Sequence, residues 1–474
     1  MPTVFVYLWF DIEDYVTKEA DDPALIFIEI AKRNHVPVTC KLVAEEVRAL
    51  SERGRKDVIA AISSCDVGYH SDTHSQHPTV WEYLRELDMV SGAREFRTRE
   101  DKGLQLMRQV FNRVPSCYGH PGVMWAPQTY PALRDMGILT YLDETRILSL
   151  HDQPYWYCGV LNLNGAGKNC LYFDYSFEKP DGILDIESKF KRIYERLSKA
   201  NGGAVSICLH PHTAVNKIVW DVVNFANGRN RVKDEYERPP SQTLAVTKRA
   251  YEQFEQFVQY ISRFKNVRWI TATDAARIYE QPNRGLNVHT ELTLIAKHFL
   301  ASSSYMQIGD SFFSPAEAFF TVTAALSRYA SDGLLPDRIE VKEPFGPVDS
   351  FRSKGKKRFE TKELLTAANA TSTRLKDQSY IPSSIRIGDS AELSPHDFLS
   401  TECRLLTSIL RGRVPRRIAL KRGIRPQLDR LSKAEFIRNC RWVVLPHGFR
   451  APKIFEQACL QAWTLKPAVP NMKK

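Results

Sequence analysis

Asp66-Val67-Gly68-Tyr69-His70-Ser71-Asp72-Thr73-His74 reads as a short apolar strand running into a polar loop. His70 and His74 stand four residues apart at its end, with a hydroxyl and an acid between them. Two neutral imidazoles at that spacing can close on one metal ion from one side, in a helical turn or in a tight loop. The competing reading is a polar loop with two solvated histidines, and stretches elsewhere in the chain bear on the choice.

The partner stretch lies near the start. Thr3 to Phe10 (TVFVYLWF) is apolar, of strand length, and rich in β-branched and aromatic residues. It ends in Asp11-Ile12-Glu13-Asp14. Carboxylates past the C-terminal end of a buried strand stand where an α/β fold collects its chemistry. One carboxylate with two histidines makes a facial ligand set for a divalent ion with open positions left. A further carboxylate beside it can serve as general base. The bland alternative is an acidic turn in which Asp14 caps the next helix.

Strand and helix signals alternate through the first part of the chain. Pro23 to Asn34 is amphipathic, and Val36 to Val43 is a strand. Glu45 to Arg53 and Lys56 to Ser64 read as helices broken at Gly54, and Val67 to His70 as a strand. Trp81 to Leu87 and Ala93 to Asn112 read as helices, and Ser116 to Tyr118 starts another strand. Tyr130 to Met136 is a helix stopped by Gly137. Ile138 to Leu142, Gly203 to Leu209 and Val267 to Thr271 are strands, with Asp143 and His210 standing at the ends of the first two. Such alternation, with polar residues at successive strand ends, predicts a parallel β/α barrel or barrel-like sheet. The turn-rich Asn162 to Gly167 has glycines but no Gly-Lys-Ser/Thr ending, so it is not a nucleotide loop. Val222 to Gln242 is a polar insertion after the His210 strand, placed to overhang a site there or to lie as a plain surface loop.

Three of these stretches resemble the motifs of the NodB-type polysaccharide deacetylases. Phe10-Asp11-Ile12-Glu13-Asp14 resembles the first motif in its Phe-Asp-x-Glu-Asp variant, and His70-Ser71-Asp72-Thr73-His74, preceded by Gly68, the second. Ile207-Cys208-Leu209-His210-Pro211-His212 resembles the late Leu-His motif. The resemblance covers roughly residues 1–281 and implies a distorted (β/α) barrel with fewer than eight strands. It departs at the third motif. Cys117-Tyr118-Gly119-His120-Pro121-Gly122 keeps the Pro and Gly, but Gly119 stands where the family has an Arg that orients the catalytic Asp. His120, beside it, is the candidate to take over part of that role.

The expected activity is metal-dependent hydrolysis of an N-acetyl or O-acetyl group on a polysaccharide or amino sugar. Water is a weak nucleophile and an amine a poor leaving group, and a bound divalent ion can lower the pKa of water to ~7 and polarise the carbonyl. The ligands expected are His70, His74 and one carboxylate. Glu13 is the first choice, because the Asp-x-Glu spacing leaves Asp11 free, and Asp14 is the alternative. Asp11, matching the first acid of the motif, is the expected general base. His210 is the expected general acid, with Asp143 as the carboxylate holding its other ring nitrogen. His120, Pro121, Gly122, Trp125 and Trp156 are candidate substrate contacts, the indoles as sugar platforms or as core. Zinc is the expected ion, with cobalt, nickel, manganese and iron as alternatives. Two other functions remain in view: hydrolysis of small cyclic amides on the same fold, and glycan binding by a catalytically degenerate chain.

After Gln281 the pattern changes, and 282–474 reads as a second, basic domain. Ser314-Pro315, Thr361-Lys362 and Ser394-Pro395 each open a helical stretch, and each stretch leads to an apolar-Pro-x-x-Ile segment at Pro336, Pro382 and Pro415. Ser432 to Phe436 begins a degenerate fourth unit. The unit resembles the pseudomurein-binding repeat, which implies a helical module that binds an envelope polymer; a helical appendage packed on the barrel is the alternative. Residues 283–474 hold 31 Lys and Arg against 18 Asp and Glu, while 1–282 hold 35 against 37. The formal net charge of +11 therefore sits in the second part. Arg411 to Arg425 concentrates it in seven cations, which suggests a surface for an anionic envelope polymer. Nucleic acid is the weaker candidate, since no recognition helix or interleaved aromatics accompany the charge. No run of about 18 apolar residues predicts a membrane span. The direct start from Met1-Pro2 into a strand, and nine scattered cysteines without Cys-x-x-Cys spacing, suggest a reducing cytoplasm, with envelope association as the alternative.

Overall fold

The computed structural model describes residues 2–143, 148–163, 167–281, 285–428, 433, 436, 438 and 441–471. Its centre is β1 (Val4–Ile12), buried along its whole length. β2 (Thr39–Leu42) and β3 (Asp66–Tyr69) follow on one side, β8 (Gly203–Leu209) and β7 (Cys170–Tyr172) on the other, all parallel. β9 (Val267–Ile270) pairs with the first half of β1. Beyond β3 the sheet continues through single bridges at Tyr118 to β4 (Thr140–Tyr141), and then to β6 (Val160–Asn162). β5 (Tyr155–Tyr157) and β19 (Lys466–Pro467) add antiparallel edges. Among the described residues no pairing joins β6 to β7, so the barrel-like sheet stays open there.

The alternation of β1 decides what the barrel holds. Val4, Val6, Leu8, Phe10 and Ile12 pack outward against helices, while Phe5, Tyr7 and Trp9 fill the interior. Asp11 and Glu13 continue the inward parity and Asp14 does not. The covering helices include α1 (Asp21–Arg33), α2 (Ala44–Glu52), α3 (Lys56–Ser63), α4 (Val80–Leu84), α5 (Met89–Phe111), α6 (Thr129–Asp135), α7 (Gly182–Lys199), α8 (Trp220–Phe225) and α9 (Leu244–Ser262), while α10 (Ala272–Ile278) packs with the interior cluster of Phe5, Tyr7 and Trp9. Gly54, at φ 70°, separates α2 from α3 as expected.

A second hydrophobic core runs from Leu286 to Ile418 and includes Trp463. After α11 (Thr293–Phe299) it is built on α12 (Pro315–Asp332), α13 (Thr361–Gln378) and α14 (Pro395–Leu410). Ser314 and Ser394 cap α12 and α14, each with Pro in the first turn. Thr361 is not the cap of α13: Glu360 takes that place in a reciprocal box with Glu363. Short strands of two or three residues accompany these longer helices. β10 (Gly285–Asn287) pairs with β13 (Arg338–Glu340), and β11 (Met306–Ile308) with β12 (Ser311–Phe313). β14 (Lys354–Gly355), β17 (Ala391–Leu393) and β16 (Ile385–Ile387) form one small sheet, and β15 (Arg358–Glu360) and β18 (Arg417–Ala419) another. Most of the fourth unit expected from Ser432 lies outside the described residues, as does part of the Asn162–Gly167 loop. The end of the chain does not stay with the second core. Phe436, Leu445, Ile454 and Ala458 pack into the core of the barrel. Among the described residues no helix is long and apolar enough to cross a membrane.

Candidate active site

The C-terminal ends of β1, β3 and β8 bring Asp11, Glu13, His70, His74 and His210 to one cavity of about 350 Å3, and Lys41 of β2 lies buried behind Asp11, outside the cavity lining. Glu13 Oε2 lies 3.3 Å from His70 Nε2 and 3.0 Å from His74 Nε2. All three side chains are buried. The His70–His74 segment is a loop, with Ser71 and His74 at φ 72° and 56°. Its start is tied to α2, because Ala44 and Glu45 donate their amides to the Ser71 and Asp72 carbonyls. His74 N donates to Ser71 Oγ.

Each imidazole is held through its far nitrogen. His70 Nδ1 lies 3.1 Å from the Gly119 carbonyl. His74 Nδ1 lies 2.6 Å from Ser75 Oγ, whose hydroxyl donates to Asp221. Both rings therefore turn Nε2 toward Glu13, the orientation by which outer partners fix metal ligands. Burial would raise the Glu13 carboxyl, but His74 and His70 hold it well below the usual carboxylate range. A first shell at ~2.1 Å separates tetrahedral ligands by ~3.4 Å, close to the spacing found here. The donor set thus fits a divalent ion on chemistry and geometry.

Asp14 does not join this set. Its Oδ1 accepts from the Val16 and Thr17 amides and its Oδ2 from Asn216 Nδ2. Its parity on β1 turns it away from the barrel interior, and burial pushes its carboxyl up to about 7.

Asp11 sits between two cations. Its Oδ1 lies 3.0 Å from Lys41 Nζ, and its Oδ2 lies 3.5 Å from His210 Nε2 and 3.9 Å from His70 Nε2. Burial opposes its ionisation, yet His70, Lys41 and His210 lower its pKa overall. His210 is not held by Asp143. Its Nδ1 lies 2.8 Å from Asp174 Oδ2, and its amide donates to Asp174 Oδ1. Burial would lower the His210 pKa, but Asp174 outweighs it and raises the imidazole to about 10. Asp143 instead accepts from Lys41 Nζ at 2.7 Å. Lys41 is wholly buried, with Nζ 4.1 Å from the centre of the Trp9 ring. Burial works against its charge, but Asp11 and Asp143 raise its pKa.

Lys41 fills the space over Gly119. A Cβ on Gly119 would lie 2.2 Å from Lys41 Nζ and 2.7 Å from Asp143 Oδ2. His120 does not take that place: its Nδ1 faces the Tyr141 hydroxyl at 3.2 Å, and burial, with Lys41 nearby, keeps it neutral. His120 and Gly122 line the cavity. Trp125 is core, wholly buried with its indole N–H on Tyr130. Trp156 lies on β5 and Pro121 is buried, and neither lines the cavity. The aromatic walls are Trp9, Tyr172, Tyr175 and Trp442. Of the polar insertion, only Val222, beside Asp221 and Val219, reaches the cavity. Its Lys233, Arg231 and Arg238 pair with Glu52, Glu237 and Glu19.

Five neighbours of the site were missed in the sequence. Lys41 had a signal, a lone cation inside the apolar run VPVTCKLV. Asp174 lay in a stretch without periodicity, and Arg438 with Arg441 and Trp442 in one that points nowhere by composition. A larger cleft of about 960 Å3, lined by Glu280, Glu317 and Glu343 among others, shares no residue with this cluster.

No family model matches the chain, and no curated protein matches it. Solved structures do. The chain is similar to a protein described as a probable polysaccharide deacetylase of Pseudomonas aeruginosa PAO1, at 14% identity over 60% of this chain and 93% of that one, with TM-score 0.40. It is similar to the PuuE allantoinase at 13% identity over 58% and 90%, with TM-score 0.39. A family 4 carbohydrate esterase of Streptomyces lividans in complex with acetate gives 11% identity over 56% and 92%, with TM-score 0.30. At these levels the likeness carries no argument, and both fold and function are read from the chain itself.

Proposed function

We propose that the protein is a metal-dependent hydrolase that removes an acetyl group from an acetylated amino sugar or glycan. The observation that carries this reading is Glu13 Oε2 set 3.0 and 3.3 Å from two imidazole nitrogens, with Asp11 and His210 beside it. Glu13, His70 and His74 would hold a divalent ion, zinc first, which would polarise the acyl carbonyl and make water a better nucleophile. Asp11, kept ionised by its cationic neighbours, accepts the proton of the attacking water. His210, kept protonated by Asp174, donates to the departing nitrogen or oxygen. Lys41 fixes Asp11 and Asp143 relative to one another. Acetate release from N-acetylglucosamine oligomers, abolished by chelation and restored by one equivalent of ion, tests the proposal.

Hydrolysis of a cyclic amide needs the same water, base and acid, and the size of the cavity suits a small substrate. Activity on a cyclic ureide, with none on any acetylated sugar, would select that reading. The basic stretch supports a tether to an anionic polymer only in part. Arg416 and Arg417 meet Glu360, and Arg422 meets Asp397. Arg411, Arg413, Lys421 and Arg425 make no ion pair with a described residue and remain for a polymer.

A further inference from the structure

The wall of the catalytic cavity is completed by the last part of the chain. Arg438, Arg441 and Trp442 line it together with Glu13, His74 and His210. The segment is fastened there. Asn227 and Gly228 donate their amides to the Val443 and Val444 carbonyls, and Val444 is buried against Tyr15, Trp220 and Phe225. The Trp442 indole lies over Gly122 so closely that a Cβ there would meet it at 2.6 Å. Its ring centre is 5.7 Å from that of His74.

Two guanidinium groups at the mouth of this cavity have no part in the hydrolytic chemistry. Asp11 is already served by Lys41 and His210, and Glu13 by the two imidazoles. Arg441 is exposed and makes no ion pair with a described residue. An arginine fork matches phosphate or carboxylate oxygens, and a flat indole beside it matches the apolar face of a sugar ring. A neutral glycan needs no such cations. A volume of about 350 Å3 holds one or two sugar rings and leaves no room for a long polymer inside.

We infer that the cavity selects an acetylated amino sugar that carries an anionic group, with Arg438 and Arg441 holding the anion and Trp442 stacking on the ring. This rests on the hydrolase reading for the acetyl group but not for the anion. The test uses the full chain and three probes: N-acetylglucosamine, N-acetylglucosamine 6-phosphate, and an N-acetylated sugar bearing a carboxylate. Binding is read by quenching of tryptophan fluorescence, and acetate release by kcat/KM. One of the two anionic sugars should bind at least tenfold more tightly than the neutral one, which identifies phosphate or carboxylate as the group held. R438Q/R441Q should bring the two within about threefold, and R438K/R441K should fall between, because an ammonium keeps the charge and loses the fork. Equal binding of neutral and anionic sugars by the unaltered protein, or a preference that survives R438Q/R441Q, overturns the inference. Arginine-dependent binding without any acetate release would sink the hydrolase reading and leave this one standing. Acetate release without an anion preference would do the reverse.

Discussion

Lys41 reaches Asp11 from the neighbouring strand, Nζ to Oδ1 at 3.0 Å, in a register that makes the two residues direct partners across β1 and β2. The same ammonium closes on Asp143, so one buried cation holds two buried carboxylates. Lys41→Met should lower kcat by ~10²-fold or more and destabilise the fold by ~3–5 kcal/mol, because both acids lose their partner. It should also move the acid limb of the kcat/KM profile to higher pH, since Lys41 is one of the groups that lower the Asp11 pKa. K41M/G119R places a cation in the same space from the other side and should recover part of the activity. An unchanged acid limb in Lys41→Met would show that the lysine does not set the base.

Asp174 gives a second test, on the acid. It holds the His210 imidazole at about 10, so His210 is protonated through neutral pH. Asp174→Asn keeps a carbonyl oxygen for the ring N–H and removes the charge. The alkaline limb of kcat/KM should then fall by one unit or more, and kcat at pH 8 should drop ~10-fold or more. A profile with its alkaline limb in place would assign the acid elsewhere.

The inward parity of Asp11 and Glu13, the two imidazoles of the His70–His74 loop and the strand-end position of His210 were legible in the sequence. Period-two alternation and a strand end are local properties. What was not legible depends on contacts far apart in the chain. Lys41 and Gly119 make sense only together, one filling what the other leaves open. Asp174 and Asp143 both stand near strand ends, and which of them meets His210 is decided by β7 lying beside β8 while β4 lies beyond β3. The return of Trp442 to the barrel mouth is set by packing of Val444 and Leu445, which no periodicity announces.

Glu100 offers a measurement of stability alone. It is buried on α5, where it accepts from the Tyr69 hydroxyl at 2.6 Å and the Asp72 amide at 2.8 Å. Burial pushes its carboxyl up to about 7. The folded state therefore binds a proton that the unfolded chain releases near 4.5, and stability falls as pH rises from about 4.5 to about 7. Glu100→Gln keeps an acceptor and cannot ionise. It should remove on the order of 2–3 kcal/mol of that pH-dependent loss. Denaturant titrations at pH 5 and pH 8 read the difference, and equal slopes in both proteins would contradict the assignment.

The basic surface is tested by charge removal. Deleting the chain beyond Gln281 would strip Phe436, Leu445 and Ile454 from the barrel core, so truncation tests folding and not binding. Arg411→Gln with Arg413→Gln should leave folding intact and weaken retention on a polymeric anionic glycan by about threefold or more at low salt, with the difference vanishing as salt screens it. Equal retention at low salt would make the stretch a solvated face.

The most direct test of the account is metal content measured together with acetate release on the same preparation. The unaltered protein should bind one divalent ion per chain and release acetate from an acetylated amino sugar. Chelation should abolish the release, and one equivalent of zinc should restore it. His70→Ala with His74→Ala should lose both ion and activity, while Asp11→Asn should keep the ion and lose activity. Acetate release that persists in the double histidine variant, or after complete removal of the ion, would contradict the account at its centre.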